Sequence, residues 1–262
     1  MSRIPNATAV ERALTILECL DSSKRGLNIS ELSRRLKIPK SSTHVIVVTL
    51  ERLGYLEHKP DSLNYHLGLK AYGMGHGMMK DLSVAEIALP NLRVLVDQFH
   101  MPAHLAVADG DQGVFIQKVD RPSLIRIDTY VGRRMDLHCT GVGKVILTWD
   151  TSGVADHILA KDAYIRYTSN TITSSRALRR ELARVQKTGY AIDDEEEELG
   201  VRCVAVPVFH PAGRFVAALS VTGTTAQLPL DAIESVAERL KRAAGGILAS
   251  MAAEAQRNGL SP

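Results

Sequence analysis

The sequence predicts an α+β protein: an N-terminal winged helix-turn-helix domain, a helical linker and a C-terminal α/β domain with an antiparallel sheet. Three observations carry this. Residues 29 to 65, ISELSRRLKIPKSSTHVIVVTLERLGYLEHKPDSLNY, read as two short helices, a tight turn and a β-hairpin. From Ser83 onward, helix-like and strand-like segments follow one another in the mixed order of an α+β sheet domain. The charge is also unevenly divided. Residues 1–80 hold 12 Lys+Arg against 7 Asp+Glu, whereas the rest of the chain holds 20 against 22, so a cationic module precedes a mildly acidic one.

A first helix is expected from Ala9 to Leu20, with Leu14, Leu17 and Leu20 on its buried side. Ile29, Leu32 and Leu36 have helical spacing in the second helix, with Ser30 as its N-cap, and the turn runs through Lys37-Ile38-Pro39. The third helix starts near Lys40. Its apolar face is Ile46, Val47, Leu50 and Leu53, while Lys40, Ser41, Ser42 and His44 lie in its first turns and point outward. Small polar and basic groups at that end suit a helix entering the DNA major groove. Gly54 ends the helix in an αL conformation, and a hairpin pairs Tyr55–His58 with Asn64–Leu67 across Lys59-Pro60-Asp61-Ser62. The candidate DNA-contacting set is Ser30, Lys40, Ser41, Ser42, Thr43, His44 and Lys59.

These elements give a domain over residues 1–68, a linker over 69–82 weakened by Gly73, Gly75 and Gly77, and a second domain over 83–262. In the second domain a helix interrupted at Pro90 is expected over Val84–Phe99. Strands are expected over His104–Ala108, Gly113–Val119, Leu124–Tyr130, Arg202–Phe209 and Arg214–Val221, and helices over Gly143–Trp149, Ser175–Lys187 and about Leu230–Ala253. The acidic run Glu195–Glu198 is expected to be a solvated face.

A chain of 262 residues with 45% apolar and 23% charged content suits two globular domains. No apolar run approaches the roughly 20 residues of a membrane span, and MSRIPNATAVER carries no hydrophobic signal core, so a cytoplasmic protein without a membrane partner is expected. Cys19, Cys139 and Cys203 are odd in number and widely spaced, which suggests neither a disulfide framework nor a zinc ribbon.

Several separate stretches, in one order, resemble the IclR family of bacterial transcriptional regulators. They are AVERALTILECL (9–20), IPKSSTH (38–44), TLERLGYL (49–56), YHLG (65–68), VGRRMDLHCTGVGKVIL (131–147), GYAIDDEEEELGVRCVAVPVF (189–209) and AALSVTG (217–223). The resemblance implies a winged helix that binds a palindromic double-stranded operator, a GAF-like C-terminal domain that binds a small organic effector, often a carboxylate, and homodimers that pair into tetramers. A repressor of a catabolic or metabolic operon is the expected role. Three positions depart from the family pattern: Val45, where Arg is common; Asn64, where a basic residue often precedes the wing tyrosine; and Asp136, where Pro is usual.

Carried over position by position, the resemblance implies an effector site of Leu124, Ile127, Met135, Gly141, Val142, Asp193, Val201, Cys203, Ser220 and Thr222. The residue types agree. Gly141, at the start of a helix, offers backbone N–H groups to a carboxylate. Ser220 and Thr222 share one strand face and can donate or accept hydrogen bonds. Leu124, Ile127, Met135 and Val201 supply an apolar wall. The duller readings are sheet satisfaction for Ser220 and Thr222, a turn cap for Asp193 and a small buried hydrophobe for Cys203. The competing class is an enzyme or a metal or redox sensor on the second domain. His138 with Cys203 or Asp136 could form a nucleophile and base pair, and His100, His104, His138, Cys139 and Cys203 could supply metal ligands. No G-x-S-x-G or zinc spacing is present, so no catalytic residue, metal ligand or cofactor is assigned.

Overall fold

The computed structural model describes residues 8–23, 25–58, 62–71, 73, 83–122 and 127–257. The wing turn Lys59–Asp61, the linker glycines Gly75 and Gly77, and Leu124 lie outside the described residues. The chain divides into two compact units, residues 1–81 and 82–262.

In the first unit α1 (Thr8–Asp21) buries Ile16 and Leu20, while Leu14, expected inside, is 55% exposed. Ile16 and Leu20 lie one turn apart and so share the inward face. Helix α2 (Ile29–Leu36) is capped by Asn28 and not by Ser30. The Asn28 Oδ1 accepts the Glu31 N–H at 2.9 Å and the Glu31 carboxylate accepts the Asn28 N–H at 3.1 Å, a reciprocal capping box that leaves Ser30 exposed in the first turn. Lys37 takes the αL conformation at φ 53°, and Ser33 Oγ donates to the Ile38 carbonyl at 2.7 Å, which closes the turn into α3 (Lys40–Arg52). In α3 Val47 and Leu50 are buried, Ile46 is half-buried and Leu53 is exposed, because the helix ends at Arg52. Strands β1 (Leu56–His58) and β2 (Tyr65–Leu67) form the antiparallel wing.

The second unit is one antiparallel sheet in the order β5-β4-β3-β8-β7-β6, made of β3 (Ala103–Asp109), β4 (Gln112–Val119), β5 (Arg134–Asp136), β6 (Ala191–Asp194), β7 (Val201–Phe209) and β8 (Phe215–Thr224). Residues 127–130 are not in a strand. One face carries Leu105, Val204, Val206, Leu219 and Val221, toward α4 (Ser83–Phe99) and α8 (Ile233–Arg257). Helix α4 continues through Pro90, contrary to the expected interruption. Proline removes one backbone hydrogen bond, and burial of Ala88, Leu92, Leu95 and Val96 outweighs that loss.

The other face is covered by α5 (Gly141–Trp149), with α7 (Ser175–Thr188) beyond it and α6 (Val154–Leu159) beside it. Every residue of α5 from Gly141 to Leu147 is buried. Gly143 is obligatory there, since a Cβ would stand 2.5 Å from Leu137 Cα. The residue after it, Lys144, is 1% exposed. Its Nζ pairs with Glu196, which is itself buried, and approaches Glu181 at 3.9 Å. The run Glu195–Glu198 is therefore a solvated face only in part: Glu198 is exposed and Glu195 and Glu197 are half-buried, while the buried Glu196 anchors a loop whose carbonyls accept Thr168 Oγ1 (Glu195, 2.6 Å) and Thr171 Oγ1 (Glu196, 2.7 Å). A one-residue register shift between Leu105 and Ala106 marks a β-bulge in the β3–β4 ladder.

Two stability measurements check this packing. Asn28→Ala should lower the unfolding free energy of the first unit by about 1 kcal/mol. Lys144→Ala, which strands a buried carboxylate, should cost the second unit about 3 to 5 kcal/mol in urea unfolding; a loss under about 1 kcal/mol would remove the pair as an anchor.

Candidate functional site

The sequence-predicted sites fall in two places, an open groove in the first unit and a buried row in the second. In the first unit the N-terminal ends of α2 and α3 and the wing enclose an open groove of about 780 Å³, lined by Ser30, Arg34, Lys40, Ser41, His44, His58 and Tyr65 among others. Lys40, Ser41 and His44 are exposed in the first turns of α3, and Ser30 is exposed on α2. Thus four residues predicted from the sequence are brought together. Ser42 is half-buried and does not line the groove. Thr43 is corrected: its side chain is fully buried, and Oγ1 donates to the Pro39 carbonyl at 3.1 Å, so it closes the turn and presents nothing outward. Lys59 lies outside the described residues. Arg34 was missed; its signal was a basic residue in the last turn of a helix whose opposite side is apolar. Val45 is 64% exposed beside His44. On the wing, His58 Nδ1 pairs with the Glu51 carboxylate and its ring lies 5.1 Å from that of Tyr65.

In the second unit strand register assembles the predicted effector residues on the face beneath α5. Asp193 stands opposite Cys203, Cys203 opposite Thr222, and Ser220 opposite Ala205. Directly opposed residues of antiparallel strands share a face, so Asp193, Cys203, Thr222 and Ser220 form one polar row across three strands. Each is at most 8% exposed. Thr140 caps α5 by accepting the Gly143 N–H at 3.1 Å, which leaves the N–H groups of Gly141 and Val142 at the helix end. That end sits on β7: a Cβ at Gly141 would lie 3.1 Å from Cys203 Sγ. Met135 and Val142 are buried against the same core, and Ile127 and Val201 are half-buried.

The electrostatics of the row follow from burial. Asp193 Oδ1 accepts the Glu196 N–H at 2.8 Å and the Glu197 N–H at 3.4 Å, so it caps the turn as well as facing the row. Burial nonetheless holds its carboxyl up at about 7, against 3.8 ordinarily, although the Glu196 amide and the Lys144 charge pull it back. Burial pushes the Cys203 thiol up to about 12, with Asp193 adding to the rise and Thr222 and Ser220 opposing it. The Ser220 hydroxyl is fully buried; it faces that weak thiol partner and has no hydrogen-bond partner among the described residues. His104, absent from the predicted effector set, stands opposite Ser220 on β3. No local pattern marks it, because its place follows only from the pairing of strands 116 residues apart.

The residues of the competing readings have other contacts. His138 Nε2 meets the Ile165 carbonyl at 3.0 Å and its ring stacks on Tyr164 and Tyr167, while burial lowers its basicity. Burial likewise pushes the Cys139 thiol far up, and thiols held protonated are poor nucleophiles and poor redox sensors. Among the described residues no three His, Cys, Asp or Glu side chains converge as metal ligands. Asp136 is engaged, accepting the Tyr167 hydroxyl at 2.7 Å. No described helix is long and apolar enough to cross a membrane.

Comparison with known proteins bears on both surfaces. Residues 9–60 match the IclR helix-turn-helix domain, and residues 76–249 match the C-terminal domain described as bacterial transcriptional regulator IclR. The HTH-type transcriptional regulator XynR of Escherichia coli is 33% identical over 240 residues, 92% of this chain and 95% of that one. The acetate operon repressor of Salmonella typhimurium is 27% identical over 238 residues, 90% of this chain and 87% of that one. An IclR homologue of Microbacterium hydrocarbonoxydans, solved in complex with 4-hydroxybenzoate, superposes with a TM-score of 0.81 at 25% identity, covering 94% of this chain and all of that one.

The titration of Asp193 is measurable. Its folded pKa lies above the unfolded value, so the stability linked to its proton is fully present below about 3.8 and is lost as pH rises through about 7. Asp193→Asn keeps a carbonyl oxygen for the capping N–H groups and does not ionise. The stability difference, variant minus wild type, should therefore grow between pH 4 and 7 and level off above, by at most about 4 kcal/mol. A flat difference across that window would show Asp193 already ionised in the fold.

Proposed function

The chain belongs to the IclR family of bacterial transcriptional regulators, and from that premise we propose that it is a repressor whose hold on a palindromic operator is set by a small organic acid bound in the second unit. The carrying observation is the buried polar row beneath α5, where Ser220 keeps a hydroxyl with no partner but the weak Cys203 thiol, on the strand beside the residues that the N-terminal end of α5 sits on. Such a site is complementary to a carboxylate and its neighbouring oxygen. That a structural neighbour holds 4-hydroxybenzoate, itself an organic acid, supports this ligand class.

In this reading residues 1–68 bind DNA, 69–82 link and 83–262 bind effector. Lys40 and Arg34 neutralise phosphates, Ser30, Ser41, Ser42 and His44 reach phosphates or base edges, and Lys59 on the wing meets the backbone. The exposed methyls of Val45 suit a thymine methyl, at a position where Arg is common in the family pattern. A homodimer, itself paired into a dimer of dimers, would match the operator's two-fold symmetry. Gly141 and Val142 donate to the effector carboxylate. Asp193, its carboxyl raised to about 7, opposes the anion less than an ordinary carboxylate would. Cys203, Ser220 and Thr222 meet its polar end, and Leu124, Ile127, Met135 and Val201 enclose the remainder. The effector regulates only so far as it prefers one of two arrangements of the paired DNA-binding units.

On the DNA side, Lys40→Ala should flatten the slope of log K against log salt by about one unit, and His44→Ala should weaken specific binding by about 1 to 3 kcal/mol with folding unaltered. Fluorescence-anisotropy titrations on a genomic operator fragment test both; an unchanged slope and affinity would take α3 out of the groove. On the effector side, Ser220→Ala should leave ligand-free operator binding intact and weaken effector binding about tenfold. Intact effector binding with a lost DNA response would place Ser220 in signal transmission instead.

A further inference from the structure

The row beneath α5 extends one strand further than a carboxylate needs. His104 on β3 is fully buried and stands directly across the β3–β8 ladder from Ser220, so the two side chains share the inner face. The imidazole is firmly held. Its Nε2 is 2.8 Å from Thr129 Oγ1, its ring stacks on Phe115 with centroids 4.5 Å apart, and Thr129 is itself fixed by Lys118, whose Nζ donates to its carbonyl at 2.7 Å. Yet His104 Nδ1, like Ser220 Oγ, has no hydrogen-bond partner among the described residues. Two such buried polar atoms on opposed residues are unusual, because each carries a desolvation penalty, which at Ser220 only the weak Cys203 thiol offsets in part and at His104 Nδ1 no described partner offsets.

We propose that His104 Nδ1 and Ser220 Oγ together receive a hydroxyl group of the effector, which makes the ligand a hydroxy acid and His104 a specificity-determining residue. This rests on the pocket reading given above. A hydroxyl fits whichever way the imidazole proton lies: with Nε2–H donating to Thr129, Nδ1 accepts, and with Thr129 donating, Nδ1–H donates. A second carboxylate fits worse. Burial first, then the charges of Lys118 and Arg133, hold His104 neutral, its pKa lowered to about 3 although Asp120 raises it. The sheet also sets the spacing. His104 and Ser220 stand opposite Ala205, so from Cys203 on β7, under the end of α5, to His104 on β3 is two strand separations across the sheet and two residues along it, about 11 to 12 Å. Subtracting a hydrogen bond of about 3 Å at each end leaves about 5 to 6 Å between the carboxylate and hydroxyl oxygens, the span of an acid with its hydroxyl on the fourth carbon.

Calorimetry on the full-length protein with pentanoate, 2-hydroxypentanoate and 4-hydroxypentanoate tests this. The 4-hydroxy acid should bind about tenfold more tightly than pentanoate, and the 2-hydroxy acid should gain less. In His104→Phe, which keeps the stack on Phe115, the 4-hydroxyl advantage should fall below about threefold while pentanoate affinity holds. Nitrogen-15 NMR of wild-type His104 needs no variant: the Nδ1 resonance should shift with 4-hydroxypentanoate and stay with pentanoate. Equal affinities of the two acids, an advantage kept in His104→Phe, or an unmoved Nδ1 would each overturn the proposal. Binding of none of the three acids would instead strike the carboxylate pocket itself, and this inference with it.

Discussion

An ammonium group with 1% exposure is tolerable only beside a carboxylate, and Lys144 meets that condition by reaching Glu196 across the core of the second unit. The pair is costly to assemble, and burial raises the Glu196 pKa even with the lysine pulling it down. What it achieves is placement. Lys144 lies in the second turn of α5 and Glu196 in the loop after β6, so one contact fixes the helix end that faces Cys203 and the loop that Asp193 caps. Arg184 joins from α7 by holding Glu181 at 2.7 Å, which keeps a second carboxylate close to the same ammonium. Thr168 and Thr171 then tie down the loop's carbonyls. A hydrophobic substitute could serve stability as well, but it would not fix where the loop sits.

Around that anchor the polar row is distributed over four strands, and apart from Ser220 and Thr222, which alternate along β8, its members come from separate parts of the sequence. Asp193, Cys203, Thr222, Ser220 and His104 meet because antiparallel register alone decides which side chains share a face. Their burial keeps the thiol and the imidazole uncharged near neutrality and raises the acid to about 7, far above its usual range. A hydrogen-bonding surface with so little fixed charge suits an incoming anion that meets the dipole end of α5.

Elements with strong periodicity were legible in the sequence. Leu178, Leu182 and Val185 on α7, and Ile233, Val236, Leu240, Ile247 and Met251 on α8, are all buried as their spacing requires. Short elements were not: β5 has three residues, β6 four and α6 six, too few for alternation or a helical stripe to emerge. The cap of α2 was misread as Ser30, although Glu31, which completes the capping box, comes three residues after Asn28 and so marks Asn28. Thr43 was read by chemical type, although its position places it inside. The groove residues on α3 were legible because one helix carries them. The row was legible only through family resemblance, and His104 was invisible because its meaning depends on a strand that follows it by more than a hundred residues.

The bulge between β3 and β4 has a consequence for how this site can change over generations. In β4 the register steps from Gln117, opposite Leu105, to Phe115, opposite Ala106, so Ile116 is the supernumerary residue. That step reverses the parity of the strand and puts Phe115 and Lys118, which ordinary alternation would separate, on the face that carries His104. Loss or gain of one codon at this place would exchange the aromatic ring for a neighbour from the other side in a single event, where point substitution would need several. Position 116 is thus a frame marker for the strand. Alignments of relatives that slide a gap past it compare residues from opposite sides of the sheet.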